Sequence, residues 1–155
     1  MNLRIFVAGI FLAVSSVAGL MAQAPSALGC VVKKGYYHCD QAAFAKYLAE
    51  AKTAAIETQP FSQVATKALS DFAGSLGKTT TSDAADLTFV LVQTDAVGIV
   101  YGPADGERAS LGVYSRGLNG GRGNLIWIEA YYGEPDTAWA AVVHLIIQQF
   151  KQDMK

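Results

Sequence analysis

The chain has 155 residues, with 12 Lys and Arg against 13 Asp and Glu, a net charge of −1 and two cysteines. No basic run exceeds the pair Lys33-Lys34, which argues against the clustered positive charge that nucleic acid or an anionic membrane surface requires. The length suits one domain of the usual 100–150 residues or so once a leader is set aside.

Met1-Asn2-Leu3-Arg4 puts one positive charge ahead of an uncharged stretch from Ile5 to Leu20, and the small-residue zone Met21-Ala22-Gln23-Ala24 follows. This is the layout of a cleaved signal peptide over residues 1–24. A membrane span needs about 20 predominantly apolar residues, whereas Gly9, Ser15, Ser16 and Gly19 interrupt this stretch. Cleavage is therefore expected in place of anchoring. Ala22-Gln23-Ala24 fits the small-x-small rule but puts Pro25 after the cut, and cleavage after Ala22 is the alternative. Periplasmic or extracellular localisation is the expectation.

Cys30 and Cys39 enclose Val31-Val32-Lys33-Lys34-Gly35-Tyr36-Tyr37-His38. An even cysteine count at short spacing in an exported chain predicts a disulfide, and the strand formers Val31-Val32 and Tyr36-Tyr37 on either side of Lys33-Lys34-Gly35 predict a hairpin. The competing reading makes Cys30 a lipidated N-terminus of an outer-membrane lipoprotein. That reading suffers from Ala27 where Leu is preferred and from the distance to the apolar stretch. Membrane attachment follows only if Cys30 is lipidated.

Asp40 can cap a helix from Gln41 with Phe44, Tyr47, Leu48 and Ala51 on one stripe. Residues 25–52 thus form an N-terminal hairpin and helix that share one globular domain with residues 53–155. Thr53–Thr58 reads as a short strand ending at Gln59-Pro60, with continuation of the preceding helix as the alternative. Ser62 caps an amphipathic helix with Ala65, Leu69, Phe72 and Leu76 inward, ending at Gly77. Thr79–Asp86 reads as a polar loop. Leu87–Gln93 is nearly unbroken apolar sequence, the signature of a central strand covered on both faces. Asp95–Arg108 carries Gly98, Gly102, Pro103 and Gly106 and reads as mostly loop. Ala109–Arg116 and Asn124–Tyr131 are two antiparallel strands joined by the glycine-rich segment 117–123. Glu134-Pro135-Asp136 opens a last helix to about Asp153, with Trp139, Val142, Val143, Ile146 and Phe150 on one side.

The predicted fold is an α/β (α+β) two-layer sandwich: a mixed four-stranded sheet in β-α-β-β-β-α order, preceded by a disulfide-closed hairpin and a helix. Both long helices are expected on one face, from the handedness of crossovers. Ala85-Asp86-Leu87 before the central strand and Leu125-Ile126-Trp127-Ile128-Glu129 before the last helix resemble patterns in small exported domains of bacterial envelope proteins, many of them lipoproteins. Similar architecture occurs in the lipoprotein of the curli secretion channel and in lipoprotein activators of cell-wall synthases. The resemblance covers about two-thirds of the chain and rests on element order. It implies an envelope role and supplies no catalytic residues.

The two histidines, His38 and His144, lack an oriented partner for acid–base work, and no metal site is expected because zinc requires three or four ligands. Ser75-Leu76-Gly77-Lys78 has Ser-x-x-Lys spacing but lies at a helix end, where the motif needs a helix start. No Gly-x-Ser-x-Gly elbow occurs. The glycine-rich segment joins strand to strand, whereas a phosphate cradle leads into a helix. Asp95, Asp105 and Glu107 do not match an EF-hand pattern, yet with Arg108 they lie at the end of the central strand, where α/β sheets place sites. The candidate surface therefore comprises Asp95, Asp105, Glu107, Arg108, Arg122, Tyr131 and Tyr132, with Tyr36-Tyr37 as a further aromatic pair. No cofactor is expected. The functional expectation is a non-enzymatic binding or assembly module for an envelope protein or cell-wall component; the alternative is a small periplasmic hydrolase or ligand-binding enzyme centred on the 95–108 loop.

Overall fold

The structure, a computed structural model, describes residues 29–97 and 106–155. The expected signal peptide and Asp105 lie outside the described residues. Eleven elements occur among the described residues: β1 (Val31–Lys33), β2 (Tyr36–His38), α1 (Gln41–Glu50), β3 (Thr53–Gln59), α2 (Gln63–Ser75), β4 (Thr79–Thr80), β5 (Leu87–Val92), α3 (Thr94–Val97), β6 (Glu107–Arg116), β7 (Arg122–Tyr132) and α4 (Trp139–Asp153).

β1 and β2 pair antiparallel, Val32 opposite Tyr37, and a Cys30–Cys39 disulfide closes their base. Lys34 and Gly35 both have positive φ, 53° and 82°, as a two-residue turn between twisted antiparallel strands demands. A sulfur joined to Cys39 has no valence left for a lipid thioether.

The main sheet has the order β4-β3-β5-β6-β7. β3 runs parallel to β4 and β5, while β5–β6 and β6–β7 are antiparallel, so the sheet is mixed. β5 lies at its centre, and all six of its residues are buried, which is why its sequence is apolar without alternation. The pair Thr79–Thr80 adds a fifth strand, parallel to the start of β3, within a segment whose polarity reads as loop; two residues are too short to carry a periodic signal.

α1, α2 and α4 cover one face. The rings of Phe44 (α1), Phe72 (α2), Phe89 (β5), Trp127 (β7) and Phe150 (α4) form a connected cluster at its centre. Phe44 stacks on Trp127 with centroids 5.0 Å apart, and Phe150 meets the edges of Phe44, Phe72 and Phe89 at 5.3–6.3 Å. Such geometry matches the quadrupoles of the rings.

The caps follow the sequence closely. Asp40 accepts Ala43 N–H at 2.9 Å and Ser62 accepts Ala65 N–H at 3.2 Å, each satisfying a donor that the first helical turn leaves orphaned. At the other end of α1, the buried Lys78 ammonium donates to Leu48 O at 2.5 Å and Ala51 O at 2.8 Å. Burial pushes its amine below the ordinary lysine value and the Lys52 charge adds to this, against a smaller opposing pull from Asp86.

α4 departs from its expected start: it begins at Trp139, with Ala138 as N-cap and no side-chain cap, not at Glu134. The backbone of 134–137 is instead turned around the Arg108 guanidinium, which donates to Glu134 O and, at 3.2 Å, to Thr137 O. Among the described residues no helix is long and apolar enough to cross a membrane.

Candidate functional site

The antiparallel register of β6 and β7 decides how the expected surface residues are distributed. Glu107 pairs with Tyr132 at one end of the two strands, and Arg116 pairs with Arg122 at the other. The structure therefore brings Asp95, Glu107, Arg108 and Tyr132 together and leaves Arg122 at the opposite edge.

At the first end, Asp95 lies in the first turn of α3, directly after the central strand. Its Oδ2 accepts Arg108 Nε–H at 2.5 Å. With its other two nitrogens on the carbonyls of Glu134 and Thr137, each nitrogen of the Arg108 guanidinium has an acceptor, and its side chain is only 10% exposed. This is a joint between α3, β6 and the approach to α4. The fork of an arginine, five N–H donors in a plane, suits it to three acceptors in three directions.

Glu107 is 6% exposed. Its Oε2 accepts the Tyr132 hydroxyl at 3.5 Å and its backbone carbonyl accepts Thr94 Oγ1–H at 3.0 Å. Burial, then the Glu107 charge and hydrogen bond, and finally the charge of Tyr36 push the Tyr132 phenol above its ordinary value. Tyr131 separates from its neighbour, as alternation along a strand requires: it is half-buried against the core, while Tyr132 is exposed. A Cβ at Gly133 would lie 2.6 Å from the Tyr131 ring, so a side chain there would have to displace that ring. The two described acids of this end are thus in contact with Arg108, Tyr132 and Thr94.

At the other end, Gly117 N–H donates to Gly121 O at 2.6 Å and Gly120 N–H to Gly117 O at 3.0 Å, which makes the β6–β7 connection a tight hydrogen-bonded turn. Gly120 packs on Ala84, and Leu118 stands wholly exposed at the tip. Below it the Arg122 guanidinium lies over the Tyr114 ring, 4.7 Å from its centroid, and pairs with Glu57 at 3.3 Å. Arg122 and Glu57, with Asp83, Thr88 and Asn119, line an open polar groove of about 340 Å³.

A third surface is the disulfide hairpin. Val31 is 51% exposed, Val32 62% and Tyr36 56%, and neither strand has a buried residue. A backbone hydrogen bond, Cys30 N–H to Leu125 O at 2.8 Å, ties it to the sheet. Three large apolar side chains are therefore held outward on a covalently closed support.

Ser75 Oγ–H donates to Phe72 O of its own helix while Lys78 serves α1, so Ser75 and Lys78 are not a dyad. His144 is exposed and bonded to Gln148 at 2.9 Å, and His38 is exposed on β2. Among the described residues no group of three or more His, Cys, Asp or Glu could hold a metal.

Sequence reasoning passed over Glu129. It is 5% exposed, its Oε1 accepting Trp127 Nε1–H at 2.7 Å and its Oε2 accepting Gln149 Nε2–H at 3.1 Å. Burial raises its carboxyl to about 6 despite the Trp127 and Gln149 hydrogen bonds, and Asp153 adds to the rise. The signal was present: a glutamate two residues beyond Trp127 falls on the tryptophan's side of the strand. Comparison with family models, curated proteins and solved structures yields no match, so the reading of these surfaces rests on their own residues.

Proposed function

We propose that the chain is an exported, non-enzymatic binding module whose docking surface is the disulfide hairpin, and that its partner is a protein of the cell envelope. The observation that carries this reading is the outward display of Val31, Val32 and Tyr36 on a hairpin that is covalently closed. Apolar side chains on a pre-ordered support lose little conformational freedom on binding and gain from leaving water. Tyr132 extends the same character from the neighbouring strand. A joined disulfide is at home in an oxidising compartment, which supports the export half of the reading together with the leader-like first 24 residues. The hydrolase alternative draws no support from Asp95 and Glu107, which are engaged by Arg108 and Tyr132.

A photo-crosslinking residue at position 32, in protein produced in its own host, tests the proposal against the same residue at position 67 on exposed α2. A discrete adduct from position 32 alone is expected, and excess unlabelled protein should compete it away. A Val31→Ser, Val32→Ser, Tyr36→Ser variant should fail to compete while keeping its unfolding midpoint. Equal adducts from both positions, or undiminished competition by the triple variant, would refute the surface.

A further inference from the structure

Strand register places one set of side chains on the sheet face turned away from the helices. Ala55 pairs with Thr88, and Thr88 with Tyr114; their chain neighbours Ala54, Leu87 and Val113 belong to the core, so these three point the other way. Glu57 and Gly112, each two positions from one of them, share this face. A layered arrangement stands on it. A Cβ at Gly112 would lie 3.0 Å from Tyr114 Cε2, so the ring lies across its own strand where a side chain is missing. Arg122 lays its guanidinium over that ring at 4.7 Å and donates from Nη1 to Glu57 Oε2 at 3.3 Å. Its side chain thus reaches from β7 towards β3, past β6 and β5, with the ring beneath and the carboxylate at its end to fix its plane.

Two walls rise beside this floor. The segment before β5 is anchored by Thr81 N–H to Ala54 O at 2.9 Å and by Asp83 N–H to Thr81 Oγ1 at 3.1 Å. The β6–β7 turn, with Gly120 at φ 80°, is the other. A Cβ at Gly120 would lie 3.0 Å from that of Ala84, so the walls meet there. The groove between them, about 340 Å³, has the size of a small-molecule site, about 300–1,000 Å³.

The fold leaves the polar groups of this groove unused. Thr88 lines it and is 6% exposed, yet its hydroxyl has no hydrogen-bond partner among the described residues. A polar group so deep costs free energy until something bonds to it. The Asp83 carboxylate, the Asn119 amide, and Nε and Nη2 of Arg122 are likewise unbonded among the described residues. Donors and acceptors therefore face the same space. Glu57 and Asp83 outweigh the single charge of Arg122, which disfavours a phosphate or carboxylate ligand. A hydroxyl both donates and accepts, so a ligand dense in hydroxyls satisfies every one of these groups and brings no charge to desolvate.

We propose that this groove binds a neutral saccharide, with adjacent ring hydroxyls accepting from Arg122 and donating to Asp83 while another bonds Thr88. No hairpin residue lines it, so the site is separate from the docking surface and does not depend on that reading.

Backbone ¹⁵N–¹H NMR of the folded protein tests this with maltotriose, cellotriose and tri-N-acetylchitotriose as probes. At least one should shift the amides of 82–88 and 119–123 saturably at millimolar concentration or below, leaving those of 31–38 in place. Arg122→Ala should weaken that binding at least about tenfold. Thr88→Val, which keeps the shape and removes the hydroxyl, should weaken it about fivefold. Lys67→Ala, on exposed α2, should leave it unchanged. Failure of all three sugars to shift these amides, saturation by inorganic phosphate or glycine but by no trisaccharide, or undiminished binding by Arg122→Ala would each overturn the proposal. The wild-type titrations decide the matter even if a variant does not fold.

Discussion

Asp86→Ala should destabilise the protein by about 2 kcal/mol, and the figure follows from the junction this residue makes. One oxygen, Oδ2, accepts Lys52 N–H at 2.8 Å, Thr53 N–H at 3.0 Å and Thr53 Oγ1–H at 3.1 Å. The Asp86 N–H donates back to Thr53 Oγ1 at 3.0 Å. The parallel strands β3 and β5 are thereby tied at the point where both begin, just outside their first register pair, Ala54 and Leu87. Hydrogen bonds to a charged acceptor contribute about 1.5–3 kcal/mol each when buried. Asp86 is only half-buried, so water replaces part of what truncation removes and the total falls to about 2 kcal/mol. With a urea slope of about 1–3 kcal/mol/M, the unfolding midpoint should drop by about 1 M.

The same contacts predict a pH dependence. The Lys52 and Thr53 backbone N–H groups, with the Thr53 hydroxyl and the Arg116 charge behind them, hold the Asp86 carboxyl below its ordinary 3.8 against a smaller burial effect. Its stabilisation is complete above 3.8 and is lost as pH falls through the lower native value, so the gap between wild type and Asp86→Ala should close in acid. A double-mutant cycle with Thr53→Ala should show coupling of about 1 kcal/mol or more. A loss under about 0.5 kcal/mol for Asp86→Ala, or a gap that widens in acid, would refute the reasoning.

Phe150 touches three other rings and is 1% exposed, so Phe150→Ala should cost about 3–5 kcal/mol in denaturant unfolding, at the level of a large aromatic cavity. Arg108→Lys keeps the charge but cannot meet Asp95, Glu134 O and Thr137 O together. It should cost about 2 kcal/mol by the same assay and speed amide exchange at 134–139, while an Asp95→Asn variant should show only part of that loss.

Both helix starts that bear a side-chain cap, at Asp40 and Ser62, stood in the sequence, because a cap acts within three residues of itself. The centre of the sheet was equally legible in the run from Leu87, since a strand buried on both faces cannot alternate. The Cys30–Cys39 hairpin was readable for a similar reason: its turn, its pairing and its staple lie within ten consecutive residues. All of these are local choices, and their energies are settled by near neighbours along the chain.

What tertiary structure decided involves partners far apart in sequence. Glu134-Pro135 has the form of a helix start, yet Arg108, 26 and 29 residues before the carbonyls it binds, turns that backbone into a clasp and delays α4 to Trp139. The same guanidinium binds Asp95, and the β6–β7 register carries Arg122 to the far end of the strands. Glu129 shows no unusual feature until Gln149 arrives from α4, 20 positions away, and folding buries it. A lone charged side chain in a sequence carries its chemistry but not its surroundings, and it is the surroundings, through burial and through the acceptors that folding brings within reach, that determine whether it clasps a backbone, faces solvent or holds a proton.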